Sequence, residues 1–169
     1  MALILPKRGS EILLRDVRPE DAVPFADMEY DIDVKKYVGG PPKKDRADWI
    51  RAFSPSVIDG CAVEALSEHV FAGHAAVEHT EHTHIPGQAE IRIVIAREFW
   101  GRHFGREALQ LLIPAAFEEM RIDSLRATIH PENCASITLF ESLGFQYRRK
   151  KDGDSAHWQY GHLIYELAS

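Results

Sequence analysis

Apolar positions recur along the chain with two different periods, and the change from one to the other divides it into elements. The segment from Ile12 to Val17 reads as a strand. Pro19-Glu20-Asp21 then opens a helix to about Tyr30, with proline and acids in the first turn, where helix starts favour them. The breaker Gly39-Gly40-Pro41-Pro42 precedes a helical stretch near Arg46 to Phe53. Cys61 to Leu66 and Val70 to Glu78 predict a hairpin turning at Ser67-Glu68-His69, and the polar run from His79 to Gly87 reads as a loop. Beyond it come a strand from Glu90 to Ile95, a helix from Phe104 to Met120 and a strand from Leu125 to His130. A helix from Cys134 to Leu143 follows, ended by Gly144, and two last strands flank Lys151-Asp152-Gly153-Asp154. Strands that first pair as a meander and then alternate with helices predict a mixed sheet with a parallel portion. Pro114 interrupts the longest helical pattern, yet Leu109, Leu112, Ala116 and Met120 keep one apolar stripe. The helix is therefore expected to kink at Pro114 and continue.

Composition narrows the function classes. The 169 residues suit one domain, 1–169, and no repeat or low-complexity linker divides them. A chain 45% hydrophobic and 27% charged is that of an ordinary globular protein. Twenty basic against 26 acidic residues give a formal charge of −6, which disfavours nucleic acid as a partner. No run approaches a membrane span, and Met1-Ala2-Leu3-Ile4-Leu5-Pro6 lacks the charged start of a signal peptide, so a cytoplasmic protein, monomer or homodimer, is expected. Cys61 and Cys134 make neither a disulfide framework nor a metal set.

The chemistry-bearing residues cluster between Glu90 and Phe145. A strand runs into Trp100-Gly101-Arg102-His103-Phe104-Gly105-Arg106, where the long helix starts. Glycines at such a turn let the backbone approach a ligand, and the helix start offers unpaired N–H groups to an anion, so a phosphate-bearing ligand is expected on the first turn after Trp100. The spacing is neither the G-x-G-x-x-G of dinucleotide folds nor a P-loop. Downstream stand Asn133-Cys134-Ala135-Ser136 and Leu139-Phe140-Glu141-Ser142-Leu143-Gly144-Phe145.

In these motifs the chain resembles the GCN5-related N-acetyltransferase (GNAT) family, and within it the ribosomal-protein N-terminal acetyltransferase branch. The family's pyrophosphate loop, [Q/R]-x-x-G-x-[G/A], falls in frame on Trp100-Gly101-Arg102-His103-Phe104-Gly105. Trp100, Gly101, Gly105, Glu107 and Ala108 match the branch's W-G-x-G-x-[G/A]-x-E-A, while His103 stands where it has glycine. The N-x-x-S of Asn133 and Ser136 and the L-G-F ending at Phe145 match as well, and weaker likeness extends to both ends. The resemblance implies an α+β fold with a mixed sheet of about seven strands, splayed in the middle and flanked by about four helices. It implies acetyl-CoA as cosubstrate, no metal, and a primary amine as acceptor, on a small molecule or a protein N-terminus. The backbone of about Arg102, His103, Phe104, Gly105 and Arg106 would hold the diphosphate. Backbone groups of Ile93, Val94 and Ile95 would bind the pantetheine amides, with the Val94 N–H as oxyanion donor. Asn133 and Phe140 would line the same arm.

An acceptor ammonium must lose a proton before it attacks a thioester; its reference pKa is roughly 8 for an α-amine and about 10.4 for lysine. Glu90, on the same strand face as Arg92 and Val94, is the candidate base, acting through water, against a plain ion pair with Arg92 or a neighbour. His130 is the second candidate. Asn133 and Ser136 read equally well as a helix cap and a first-turn serine. Relatives often place an acidic tyrosine where this chain has Phe140, so the resemblance moves the proton donor for the thiolate to Ser136. A thiolate with pKa near 8.5 also leaves without help. Cys134 opens a covalent route that the family's direct attack disfavours. The histidines His69, His74, His79, His82 and His84 lack a companion set of ligands and read as solvated. Arg148-Arg149-Lys150-Lys151 reads as a solvent-facing basic run. The acceptor is expected to meet Tyr30, Tyr37 and the hairpin before the last strand.

Overall fold

The structure is a computed structural model that describes residues 3–78, 85–153, 157 and 159–169. In chain order the elements are β1 Lys7–Arg8, β2 Ile12–Arg15, α1 Ala22–Tyr30, α2 Ile32–Lys35, α3 Arg46–Ala52, β3 Cys61–Ala65 and β4 Val70–Glu78. Then follow β5 Gln88–Ile95, α4 Phe104–Glu118, β6 Ser124–Ile129, α5 Cys134–Ser142, β7 Gln146–Lys150 and β8 Leu163–Ala168. The strands form one mixed sheet in the order β1-β2-β3-β4-β5-β6-β8-β7. Among the described residues, eight strands and five α-helices, against the seven and four expected, differ by two short additions. β1 is two residues long, and α2 is a single turn whose start Asp31 caps by accepting from the N–H groups of Asp33 and Val34. The expected polar loop from His79 and the turn residue Asp154 lie outside the described residues.

Pro114 does not end α4, which is continuous from Phe104 to Glu118. Its ring lies on the exposed side, while Phe104, Ala108, Leu109, Leu112 and Ala116 bury one stripe against Ile12, Leu14, Ile91 and Leu125 of the sheet. Phe25, Met28 and Val34 pack a smaller core on the other face, with Trp49 and Val94 at its edge.

The feature that creates a site is in the middle of the sheet. β5 and β6 run parallel and pair at Gln88–Ser124, Ala89–Leu125 and Glu90–Arg126 only. Past Glu90 the two strands part, although β5 continues to Ile95 and β6 to Ile129. The backbone groups freed there face one another across a gap instead of closing a ladder.

A buried ion network ties β2 to the α1 entry. Arg15 donates through both terminal nitrogens to the Asp21 carboxylate, 2.8 Å in each case, and through Nε to Glu64. Asp21 also accepts from the Arg18 N–H at 2.8 Å. Burial raises the Glu64 carboxyl, but the hydrogen bond and charge of Arg15 outweigh it and hold Glu64 below its ordinary value. A depressed carboxylate stabilises the fold above its unfolded pKa, and that contribution is lost as pH falls through the folded value. Asp21→Ala, which removes the bidentate partner of the buried Arg15 cation and leaves it only Glu64, should cost about 3–5 kcal/mol in denaturant unfolding. A loss under about 1 kcal/mol would contradict the network's role.

Candidate active site

The gap between β5 and β6 opens into a cleft of 430 Å³ that also runs beneath α1 and α3. Glu90, Ile93, Val94, Asn133, Ser136 and Phe140 all line it, although the chain separates the first from the last by fifty positions. Trp100 and the α4 start adjoin the far end of β5. The Trp100 indole Nε1–H donates to the Ile95 carbonyl at 2.8 Å, which fastens the turn to the strand.

Strand parity decides which backbone groups reach the gap. The Ala96 N–H donates to Ala72 of β4 at 2.9 Å, and Val94 lies opposite His74 in the same ladder. Alternate residues direct their backbone the same way, so Val94 turns its N–H and carbonyl to β4, whereas Ile93 and Ile95 turn theirs toward β6. Of the three backbone positions expected at the cosubstrate, Ile93 and Ile95 face the gap. Val94 contributes a side chain to the wall instead, and its N–H does not point where an oxyanion donor is required.

At the start of α4 the sequence departs from glycine but the backbone does not. His103 takes φ 61° and ψ 11°, the left-handed conformation that histidine tolerates better than most residues. The first intrahelical bond runs from Glu107 N–H to the His103 carbonyl, 3.1 Å, so the N–H groups of Phe104, Gly105 and Arg106 remain outside the helix ladder. A Cβ on Gly105 would meet Leu139, Ile95 and Ile93 at 3.5–3.9 Å, which puts this first turn over the mouth of the gap. The two arginines are unequal. Arg102 stacks 4.6 Å from the Phe104 ring and is paired with Glu68 at 3.0 Å, so its charge is compensated. Arg106 donates to the neutral Ser142 hydroxyl at 2.8 Å and keeps its net charge beside the turn. Glu107 points elsewhere: its carboxylate accepts from the N–H groups of Ser10 and Glu11 and latches the β1–β2 turn to α4.

Glu90 is 5% exposed and sits in a charged row that crosses four strands, Glu78–Glu90–Arg126–Glu166. The expected partner Arg92 pairs with Glu78 rather than Glu90, and the cation beside Glu90 in register is the buried Arg126. Burial raises the Glu78 carboxyl; Arg92 opposes the rise and Glu90 adds to it.

Asn133 caps α5 by accepting the Ser136 N–H at 3.2 Å, and both residues line the cleft. Phe140, one turn on, lines the same wall and meets Phe145 edge-on at 5.0 Å. Cys134 is exposed and is not among the cleft-lining residues, while burial pushes the Cys61 thiol up to about 12. Tyr37 lines the cleft; Tyr30 does not, its hydroxyl being held by the Lys44 carbonyl.

Two histidines line the cleft with opposite hydrogen-bonding character. His130 Nδ1 accepts the Glu132 N–H at 3.1 Å, so in the neutral ring the proton is on Nε2 and the group that remains is a donor. That weakens His130 as a base. His74 has Nε2 2.6 Å from the Asp59 carbonyl, which can only accept, so Nε2 carries the proton and Nδ1 a lone pair. Burial lowers its pKa and keeps it neutral. Sequence reasoning weighed His74 only as a metal ligand and read it as solvated; the available signal for a cleft residue was one polar ring inside the apolar run Val70 to Val77 of a central strand. Among the described residues no group of three or more histidine, cysteine, aspartate or glutamate side chains is placed to hold a metal; His79, His82 and His84 lie outside them. No described helix is long and apolar enough to cross a membrane.

An acetyltransferase (GNAT) domain model matches residues 11–146, and the chain belongs to that family. It is 30% identical over 145 residues to the uncharacterized N-acetyltransferase p20 of Bacillus licheniformis, covering 80% of this chain and 79% of that one. Its fold is similar to that of a GNAT-family acetyltransferase from Bacillus anthracis, with a TM-score of 0.76, 21% identity and 96% of both chains covered. A spermidine N-acetyltransferase chimera from Vibrio cholerae and hSSAT superposes with a TM-score of 0.74 at 18% identity, over 94% of this chain and 96% of that one.

Proposed function

We propose that the protein transfers an acetyl group from acetyl-CoA to a primary amine by direct attack, in the cytoplasm. The observation that carries this reading is the parting of β5 and β6 immediately past Glu90, beside the open first turn of α4. In this reading the N–H groups of Phe104, Gly105 and Arg106 hold the diphosphate, His103 shapes the turn, and Arg106 supplies more charge than the compensated Arg102. Backbone groups of Ile93 and Ile95 take the pantetheine amides; the oxyanion donor becomes the N–H of Ile93, since Val94 faces β4. The Asn133 amide donates to the same arm, and Phe140 walls it. Acetyl-CoA brings the activated acetyl group. Glu90 takes the ammonium proton through water, and the cleft supplies orientation.

Ser136 gives the departing sulfur its proton. Ser136→Ala should lower turnover per folded molecule without changing CoA affinity, and adding Phe140→Tyr should restore part of the loss, since both positions face the cleft one helical turn apart. A serine that only ends the helix would instead lower the melting temperature and leave the rate alone.

Phe140, which has no proton to give, favours a second reading: an acyl-CoA-binding module without catalysis on the same fold. Thiol release from saturating acetyl-CoA across a panel of amines separates the two. Steady, amine-dependent release supports the enzyme, and CoA binding with no release for any amine supports the module.

A further inference from the structure

We propose that the acceptor half of the cleft takes a primary amine borne on an uncharged aromatic group, and not a polyamine; this rests on the acetyl-transfer reading above. The wall under α1 and α3 is aromatic. Phe25 lies 5.7 Å from Trp49 and 5.2 Å from the His74 ring, and all three line the cleft. Flat apolar surface of this kind is buried most favourably by another ring, offset or edge-on.

Most charges in the same wall are compensated before any ligand arrives. Glu29 is paired with Lys35 at 2.8 Å, with both side chains mostly buried, and Arg92 is paired with Glu78. A spermidine molecule carries two further cations beyond the nitrogen that reacts, and each needs a carboxylate not already paired. Among the described residues of the acceptor wall, the exposed Asp59 is the carboxylate without an ion-pair partner. One exposed carboxylate screened by water offsets little of the cost of desolvating two ammonium groups.

His74 then supplies polarity of the right kind at the inner end. It lies opposite Val94, two residues along the strand face from Arg92 and four from Glu90, and it presents an Nδ1 lone pair without a proton. A neutral acceptor of this type receives an N–H from the substrate nitrogen without repelling it, which a protonated imidazole would do. The amine thus donates to His74 while its ring lies on Trp49, which the buried Phe25 backs, and Glu90, four residues along the strand, takes the proton through water. His74 is a positioning residue in this arrangement, and Glu90 keeps the proton-accepting role.

The test compares phenethylamine with spermidine at saturating acetyl-CoA, together with binding of each amine to the protein–CoA complex by calorimetry. Phenethylamine should have the higher kcat/KM by about tenfold or more. Trp49→Ala should raise its KM by about tenfold while leaving the KM for acetyl-CoA unchanged, and Trp49→Phe should restore most of the loss. A kcat/KM for spermidine equal to or above that for phenethylamine overturns the inference. So does a serine-initiated peptide that exceeds phenethylamine tenfold, or a folded Trp49→Ala variant with an unaltered KM. If neither amine is acetylated but phenethylamine binds more tightly than spermidine through Trp49, the pocket stands and the acetyl-transfer reading fails.

Discussion

Glu90→Gln should lower amine acetylation by roughly 10²–10⁴-fold while leaving acetyl-CoA affinity nearly unchanged, because the variant keeps shape and hydrogen bonding but loses the proton acceptor. The position makes the expectation sharp. Glu90 is the last residue of β5 to pair with β6, so it stands where the gap begins, and it lines the cleft while only 5% exposed. A plain ion pair with Arg126 predicts something else: a loss of stability in the glutamine variant with turnover per folded molecule intact. Stopped-flow turnover and thermal unfolding on one preparation tell these apart. A fall in turnover below about threefold would return Glu90 to a structural role. His130 would not inherit the task easily, since its Nδ1 already accepts a backbone N–H.

Gly105→Asp should abolish CoA binding. The first turn of α4 presents its free N–H groups over the mouth of the gap, and a carboxylate there would place a negative charge where the diphosphate belongs. Gly105→Ala is the control. The added methyl would meet its neighbours at 3.5 Å or more, an ordinary contact, so this variant should fold and bind CoA at close to wild-type strength. Calorimetry that finds wild-type affinity in a folded Gly105→Asp protein would move the diphosphate off this turn.

Much of this architecture is legible in the sequence. The hairpin of β3 and β4, the strand at Glu90 and the persistence of α4 through Pro114 follow from period, caps and breakers, all of which are local. β1 and α2 escaped because two residues and one turn are too short to show a period. The α2 signal was present in Asp31, a capping residue followed two and three positions later by the N–H groups it accepts. What stayed hidden depends on partners far away in the chain. The charge of Arg102 is compensated by Glu68, thirty-four positions earlier, a pairing that no local pattern reports. Glu107 matched a motif, yet it secures a turn near the N-terminus. Which side Val94 turns to is a matter of strand order, since an alternating pattern reports side chains and says nothing about the neighbour that receives the backbone. The character of His74 and His130 is the same kind of fact, set by a carbonyl at Asp59 and an N–H at Glu132.

The proposal of direct attack is exposed most fully by a single-turnover experiment with acetyl-labelled acetyl-CoA, rapidly quenched, in which label on CoA, on amine and on protein is followed together. Label should pass from CoA to the amine with the same rate constant as thiol release, with none held on the protein and no change in Cys134→Ala. Label trapped on the protein before it reaches the amine, or thiol released without labelled amine, would contradict the account.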